Sequence, residues 1–248
     1  MNWRLTQLNP GDAFPPADQA LPAEAPYPGL LAVGGLVDAN SLEAAYAQGI
    51  FPWFGPDDPP LWWSPDPRML LRPQDLKVRR SLRQSARRIL DDTRYSLHVD
   101  RDFRGVMLAC SAPRRDTAET WIVPAIVDAY CALHARGHAH SFELWRAHER
   151  VAGLYCVARG GMVFGESMFT QVDDGSKILL MALCGFCLQH ALGPIDCQQQ
   201  TKHLASMGAK PLARPQFLQE LQQALTKPGP RSWQYDGSQF QRDCAPWL

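Results

Sequence analysis

The stretch MVFGESMFTQVDDGSKILLMALCGFCLQHALGPIDCQ, Met162 to Gln198, decides the fold because its hydrophobic period changes twice. Met162 to Phe169 is a short apolar run rich in β-formers, and Val151 to Ala158 (VAGLYCVA) is another. Between them Arg159-Gly160-Gly161 supplies the positive-φ residues of a tight hairpin, so the two runs are predicted to pair antiparallel. After the loop Thr170 to Gly175, Ser176 to Ala191 is apolar over a helical length, with Ser176 as predicted N-cap and Gly193-Pro194 as the stop. Ile195 to Gln198 then reads as a short strand. Alternate side chains of a strand face opposite ways, which puts Asp196 and Gln198 on one face and Cys197 on the other.

Outward from this stretch, His140 to Arg146 (HSFELWR) begins the same sheet, and Tyr95 to Val99 reads as a further strand. Phe103 to Ser111 is predicted as a short helix and Arg114-Arg115-Asp116 as a polar loop. Thr120 is placed to cap an amphipathic helix through Ala135, with Pro124 in its first turn and Gly137 closing it. Leu76 to Leu90 (LKVRRSLRQSARRIL) is predicted as a helix with Val78, Leu82, Ala86 and Ile89 on one face. Lys77, Arg79, Arg80, Arg83, Arg87 and Arg88 crowd the rest of it, with no acid among them. Such a face is commonly just solvated, yet it is the one local patch suited to phosphates. On the C-terminal side, His203 to Gly208 and Pro215 to Leu225 read as helical, and the Pro/Gly-rich stretch from Lys227 reads as a tail of uncertain order.

Residues 1–66 differ in character. Prolines and glycines crowd them, so a small, loop-rich N-terminal domain is expected, followed by a larger one over 67–248. Asn40-Ser41 is placed to cap a helix from Leu42 to Gln48, ended by Gly49. A dense aromatic segment follows, Phe51-Pro52-Trp53-Phe54 and then Trp62-Trp63. These rings suit a small core, and a tryptophan among them also suits stacking on a base.

Composition narrows the class. The 248 residues are 46% hydrophobic with zero net charge, which fits a soluble globular protein without a general pull toward nucleic acid. No apolar run approaches a membrane span, and the start lacks the pattern of a signal peptide. The seven cysteines are scattered and odd in number, as expected of reduced thiols in a cytoplasm. Cys184 and Cys187 with His190 and Cys197 raise the question of zinc, but a CxxC inside an apolar helix favours buried thiols. His134, His138 and His140 straddle a helix end, where capping is expected rather than ligation. Ser167 in Gly165-Glu166-Ser167-Met168-Phe169 lacks the second glycine of a nucleophile elbow. No metal and no cofactor are expected.

The order after residue 140, three antiparallel strands, helix, strand, helix, is that of an acetyltransferase-like (GNAT) domain. In that fold the loop before the helix receives the pyrophosphate of coenzyme A. Here that loop carries Asp173-Asp174, whose charges would repel it, so a small-molecule acyltransferase using coenzyme A is the weaker alternative.

Several longer motifs run in one order from about Gly29 to Leu221: Leu30-Leu31-Ala32-Val33-Gly34-Gly35, Tyr46-Ala47-Gln48-Gly49-Ile50-Phe51-Pro52-Trp53-Phe54, Leu61-Trp62-Trp63-Ser64-Pro65-Asp66-Pro67-Arg68, Thr120-Trp121-Ile122, Gly165-Glu166-Ser167-Met168-Phe169, Ser176-Lys177 and Ile195-Asp196-Cys197-Gln198. Together they resemble the bacterial leucyl/phenylalanyl-tRNA–protein transferases. The resemblance implies an α+β fold, a small N-terminal domain plus a GNAT-like catalytic domain with a mostly antiparallel sheet. It implies an enzyme that moves Leu or Phe, and less readily Met, from aminoacyl-tRNA to proteins with N-terminal Arg or Lys, marking them for N-degron degradation. A cytoplasmic monomer is expected. The chain departs from the family pattern at Leu36, Thr170-Gln171, Gly175, Thr201 and Gln84.

The ester of an aminoacyl-tRNA is already activated, so the enzyme has to align an amine, take up its proton and stabilise an oxyanion. By the resemblance Gln198 contacts the attacking amine, Asp196 supplies basicity through a relay unless a tRNA hydroxyl does so, and Glu166 holds the amine or the acceptor's cationic side chain. Leu154, Met168, Leu183 and Ile195 match an apolar pocket for Leu and Phe, positions that plain core packing would also fill. Trp53 and Trp121, with Tyr46 and Tyr130, match contacts to the terminal adenosine. Arg80, Arg83, Arg87 and Arg88 match the tRNA-binding helix. A tRNA-binding module without catalysis is the remaining alternative.

Overall fold

The computed structural model describes residues 4–112 and 120–248, so the polar loop expected at Arg114-Arg115-Asp116 lies outside the described residues. Four short strands, β1 (Thr6–Leu8), β2 (Leu30–Gly34), β3 (Phe51–Pro52) and β4 (Leu61–Trp63), form a small sheet in the order β1-β2-β4-β3, with α1 (Ala39–Tyr46) beside it. A seven-stranded sheet follows. Its strands are β5 (Arg68–Leu71), β6 (Tyr95–Val99), β7 (Ala139–Arg146), β8 (Glu149–Arg159), β9 (Met162–Thr170), β10 (Ile195–Asp196) and β11 (Lys210–Leu212), in the order β11-β5-β10-β9-β8-β7-β6. Every neighbouring pair in it is antiparallel except β9 and β10. The hairpin read from the sequence is at its centre, turning at Gly160 with φ 56°.

The remaining helices are α2 (Arg80–Asp91), α3 (Phe103–Ser111), α4 (Pro124–Ala135), α5 (Gly175–Gln189), α6 (Lys202–Ser206), α7 (Arg214–Leu225) and α8 (Gly237–Asp243). Because β8 and β9 are apolar on both sides, both faces of the large sheet must be covered. On one face α3, α4 and α7 share a continuous core with α1 and the small sheet. On the other, α2, α5 and α8 build a second core. The α+β class expected from the sequence holds, and no described helix is long and apolar enough to cross a membrane.

Several element ends differ from the expectation, each for a local reason. The cap of α1 is Asp38, whose carboxylate accepts from Ser41 N at 2.8 Å, so the helix begins before Asn40-Ser41. Leu76 to Arg79 is not helical, because Leu76 is buried and Lys77 N donates to Met207 O at 2.9 Å. At α4, Thr120 only closes a turn on Ile122 N, and the helix starts at Pro124. Asp174, with φ 59°, precedes α5 in place of Ser176; its carboxylate takes Lys177 Nζ at 2.7 Å and Ser85 Oγ at 2.9 Å.

The largest difference is the stretch after Lys227. It is ordered around α8, which opens with a capping box between Asp236 and Gln239. Tyr235, Phe240 and Cys244 are buried in the second core, and Trp233 stacks on His140 with centroids 3.8 Å apart. Phe240→Ala should therefore lower unfolding free energy by about 3–5 kcal/mol in urea titrations. An unchanged midpoint would mean that α8 contributes nothing to the folded core.

Candidate functional site

The site forms where β9 and β10 part. Their parallel pairing spans only Val163 with Ile195 and Phe164 with Asp196, after which β9 runs on to Thr170 while the other chain turns away. The turn is made by Gln198 at φ 62°, in the left-handed region. Gln198 is thus outside the strand, and the simple alternation expected of Asp196 and Gln198 does not describe it.

Glu166 stands opposite this turn because of a β-bulge. Tyr155 pairs with Ser167 and Cys156 with Gly165, which leaves Glu166 as the extra residue on β9. The bulge aims its carboxylate toward the face covered by the small sheet. There Oε1 accepts from Tyr46 Oη at 2.7 Å and from Gln198 Nε2 at 3.0 Å, and Oε2 accepts from Tyr130 Oη at 3.2 Å. The two tyrosine hydroxyls lie 2.5 Å apart. Three elements distant in sequence, α1, α4 and the end of β10, thus converge on one carboxylate.

Burial raises the pKa of Glu166 from its ordinary 4.5 to about 7, and the negative charge of Asp196 adds to the rise; the hydrogen bonds from Tyr46, Gln198 and Tyr130 oppose it. Although part of the residue reaches the surface, its carboxyl is hemmed in by these groups. Burial and the nearby carboxylate also push Tyr46 and Tyr130 well above the usual phenol range, so both remain hydroxyl donors. Both tyrosines are fully buried, which places their rings in the core and their hydroxyls on Glu166 rather than on an open adenosine-binding face.

Asp196 is in a different setting. It is fully buried beside Arg68, which is also fully buried, at 2.7 Å from Nη2 to Oδ2. Arg68 Nε lies 2.9 and 3.0 Å from the two carboxylate oxygens, and Gln198 N donates to Oδ1 at 2.8 Å. A carboxylate has room for about four hydrogen bonds, and these occupy it. The basicity expected of Asp196 has no such opening to act through, whereas Glu166 sits beside the mouth of the parted strands.

The other expected residues divide by exposure. Trp53 is 41% exposed and packs edge-on against Trp63, whose Nε1 donates to Trp53 O at 2.7 Å. Trp121 is half-buried at the rim of the first core. Leu154, Leu183 and Ile195 are buried in the second core and Met168 packs half-buried against that core, on the opposite face of the sheet from Glu166. Arg80, Arg83, Arg87 and Arg88 are all exposed on α2, with Arg83 Nε on Trp247 O and Arg88 Nη2 on Ser85 Oγ.

Sequence reasoning passed over Arg68, although the motif containing it was in view; an arginine in a Pro-rich segment carries no mark of burial. Among the described residues, Asp100, His134 and His140 bring ligand-type atoms within 4.8 Å of one another. His134 Nδ1 donates to Ala139 O at 2.7 Å and His140 Nε2 to Gly137 O at 3.1 Å, bonds that close the turn between α4 and β7. Burial pushes the Cys197 thiol up to about 12, and the thiols of Cys184 and Cys187 also rise.

Tyr46→Phe keeps the buried ring and removes one donor to the ionised form of Glu166. Losing a bond that favours the charged form raises a carboxyl pKa, so the Glu166 titration followed by carboxyl-carbon NMR should move above about 7. A titration unchanged in the variant would show that the hydroxyl does not act on this carboxylate.

Comparison with known proteins bears on the same residues. Residues 70–222 match the family model described as leucyl/phenylalanyl-tRNA protein transferase, and residues 35–66 match the N-terminal domain model of that family. Curated proteins named leucyl/phenylalanyl-tRNA–protein transferase are similar along nearly the whole length. The one from Ralstonia pickettii is 47% identical over 239 residues, and the one from Cupriavidus taiwanensis 49% over 239, each alignment covering 96% of both chains. That from Burkholderia multivorans is 49% identical over 230 residues, 92% of this chain and 90% of its own. By both family models and by identity along 96% of its length, the chain belongs to the leucyl/phenylalanyl-tRNA protein transferase family.

Proposed function

We propose that this chain transfers Leu or Phe, and less readily Met, from aminoacyl-tRNA to the N-terminal Arg or Lys of acceptor proteins, marking them for the N-degron route. The observation that carries the mechanism is the Glu166 carboxyl, with a pKa of about 7, hydrogen-bonded to Gln198 at the opening between β9 and β10. A free α-amine titrates at roughly 7.7–8.0, so a base near neutrality is well matched to receive its proton as the bond forms.

In this reading the amine of the acceptor lies against Gln198, whose side-chain carbonyl accepts from it while Nε2 stays on Glu166. The amine nitrogen attacks the ester carbonyl, the proton passes to Glu166, and the bond to the ribose oxygen breaks, releasing the tRNA hydroxyl once that oxygen regains a proton. Tyr46 and Tyr130 hold Glu166 in place, and Asp196 holds the turn that carries Gln198. The aminoacyl side chain enters the opening toward Met168, with Leu154, Leu183 and Ile195 beneath it. An apolar floor of this kind separates Leu, Phe and Met only weakly, by about 1–3 kcal/mol per methylene at most. Trp53 offers the exposed ring for the terminal adenosine, with Trp121 at the rim, and the arginines of α2 meet tRNA phosphates. The parting of β9 from a parallel neighbour supports a GNAT-like arrangement of residues 67–248 behind a small domain over 1–66. The enzyme would act as a cytoplasmic monomer with no metal or cofactor, its donor being the charged tRNA.

Transfer of labelled Leu from charged tRNA to a protein beginning with Arg tests this directly. Wild type should label the acceptor, and Glu166→Gln and Gln198→Ala should each lower kcat on the order of 10²-fold. Full activity in Glu166→Gln would remove Glu166 from the proton path. For the basic helix, Arg80→Ala should weaken charged-tRNA binding and flatten the plot of log affinity against log salt by about 0.7–1. An unchanged slope would place the tRNA elsewhere.

A further inference from the structure

The guanidinium of Arg68 is held from every side. It makes the bidentate contact with Asp196, donates from Nη1 to Gly49 O at 3.1 Å, and lies between the rings of Phe51 and Phe217, 4.8 and 4.6 Å from their centroids. The contacts come from three separate parts of the chain: the turn from Gly49 to Phe51, Phe217 on α7, and Asp196 on β10. Gly49 and Phe51 bound the turn from α1 into β3, with Tyr46 three residues before Gly49 and Trp53 two residues after Phe51. Asp196 holds Gln198 N and so fixes the left-handed turn, a conformation that a glutamine adopts only when its surroundings impose it. Both groups that donate to Oε1 of Glu166, the Tyr46 hydroxyl and the Gln198 amide, therefore hang from backbone tied to one guanidinium.

We propose that Arg68 is a positioning residue for the transfer reaction: it sets the placement of Gln198 against Glu166 and of the Trp53 segment against both, without touching substrate. This rests on the transferase reading for its kinetic arm and on geometry alone for its structural arm. The planar fork is what the role requires. A lysine at the same place keeps the charge opposite Asp196 but gathers its three donors on one nitrogen, and so cannot reproduce a fork whose Nε and Nη2 meet the carboxylate while Nη1 meets the Gly49 carbonyl.

Arg68→Lys therefore separates positioning from charge compensation. The expected result is a kcat at least tenfold below wild type, a KM for charged tRNA within twofold, and an upward shift of the acid limb of the kcat profile as Glu166 loses its donors. A kcat within twofold of wild type and an unmoved limb would overturn the proposal. The double variant Arg68→Met with Asp196→Leu replaces the buried pair by apolar side chains, an exchange that a fold often accepts. Its expected outcome is a wild-type melting temperature with kcat still depressed at least tenfold; recovery of both would reduce the pair to a purely structural role. The third measurement needs no activity. The side-chain amide resonances of Gln198 in the wild type should be displaced in Arg68→Lys, and unmoved resonances would overturn the proposal even if the wild type transferred nothing.

Discussion

The buried contact between Arg68 and Asp196 is the constraint on which the site depends. Two charges withdrawn from water are tolerated only where each is well partnered, and removing one partner alone costs about 3–5 kcal/mol because the other is left unpaired. Here the pair is completed by Gly49 O, Gln198 N and two flanking rings. The pair also bridges the two sheets. Its arginine opens β5 of the large sheet, while the carbonyl it holds belongs to the turn that leads into the small one. The same junction carries a second buried arginine, Arg214, whose Nη1 donates to Ser64 O at 2.7 Å. The small sheet is thus docked by directed bonds as well as by the apolar core it shares with α3, α4 and α7.

Docking has a chemical outcome at Glu166. Covering this face with α1 and the small sheet removes water from the carboxyl, which raises its pKa, while Tyr46 arrives with the same covering layer and partly restores the ionised form. The balance between the two effects holds the group near neutrality. A carboxylate left on an open sheet would titrate in the usual acidic range and would be a poor match for an amine.

Much of the large sheet was legible in the sequence, and the reason is patterning. β6 and α3 were read with the same ends that the structure gives, since each is a short segment with clear borders. The sequence places the starts of α1 and α5 a few residues late and that of α4 a few residues early, because a nearby Ser or Thr resembles a cap and only the fold decides which group meets the free N–H. The ordered C-terminal stretch was not legible: its prolines and glycines look like a tail, while the buried Tyr235 and Phe240 are single anchors without a period. At the site, the family motifs pointed to Glu166, Asp196 and Gln198, but not to how these side chains are bonded to one another. The left-handed Gln198, the buried Asp196 and the partner role of Tyr46 and Tyr130 all arise from contacts between residues far apart in the chain.

The bulge on β9 separates the fold from its chemistry in an unexpected way. Pairing runs in one register through Tyr155 and Ser167 and in the next through Cys156 and Gly165, so the ladder would close evenly if the chain were one residue shorter at Glu166. Both hydrophobic faces of the hairpin would keep their alternation. The acid is thus an insertion into an otherwise complete strand, and a lineage could lose or acquire it in one codon without redrawing the sheet.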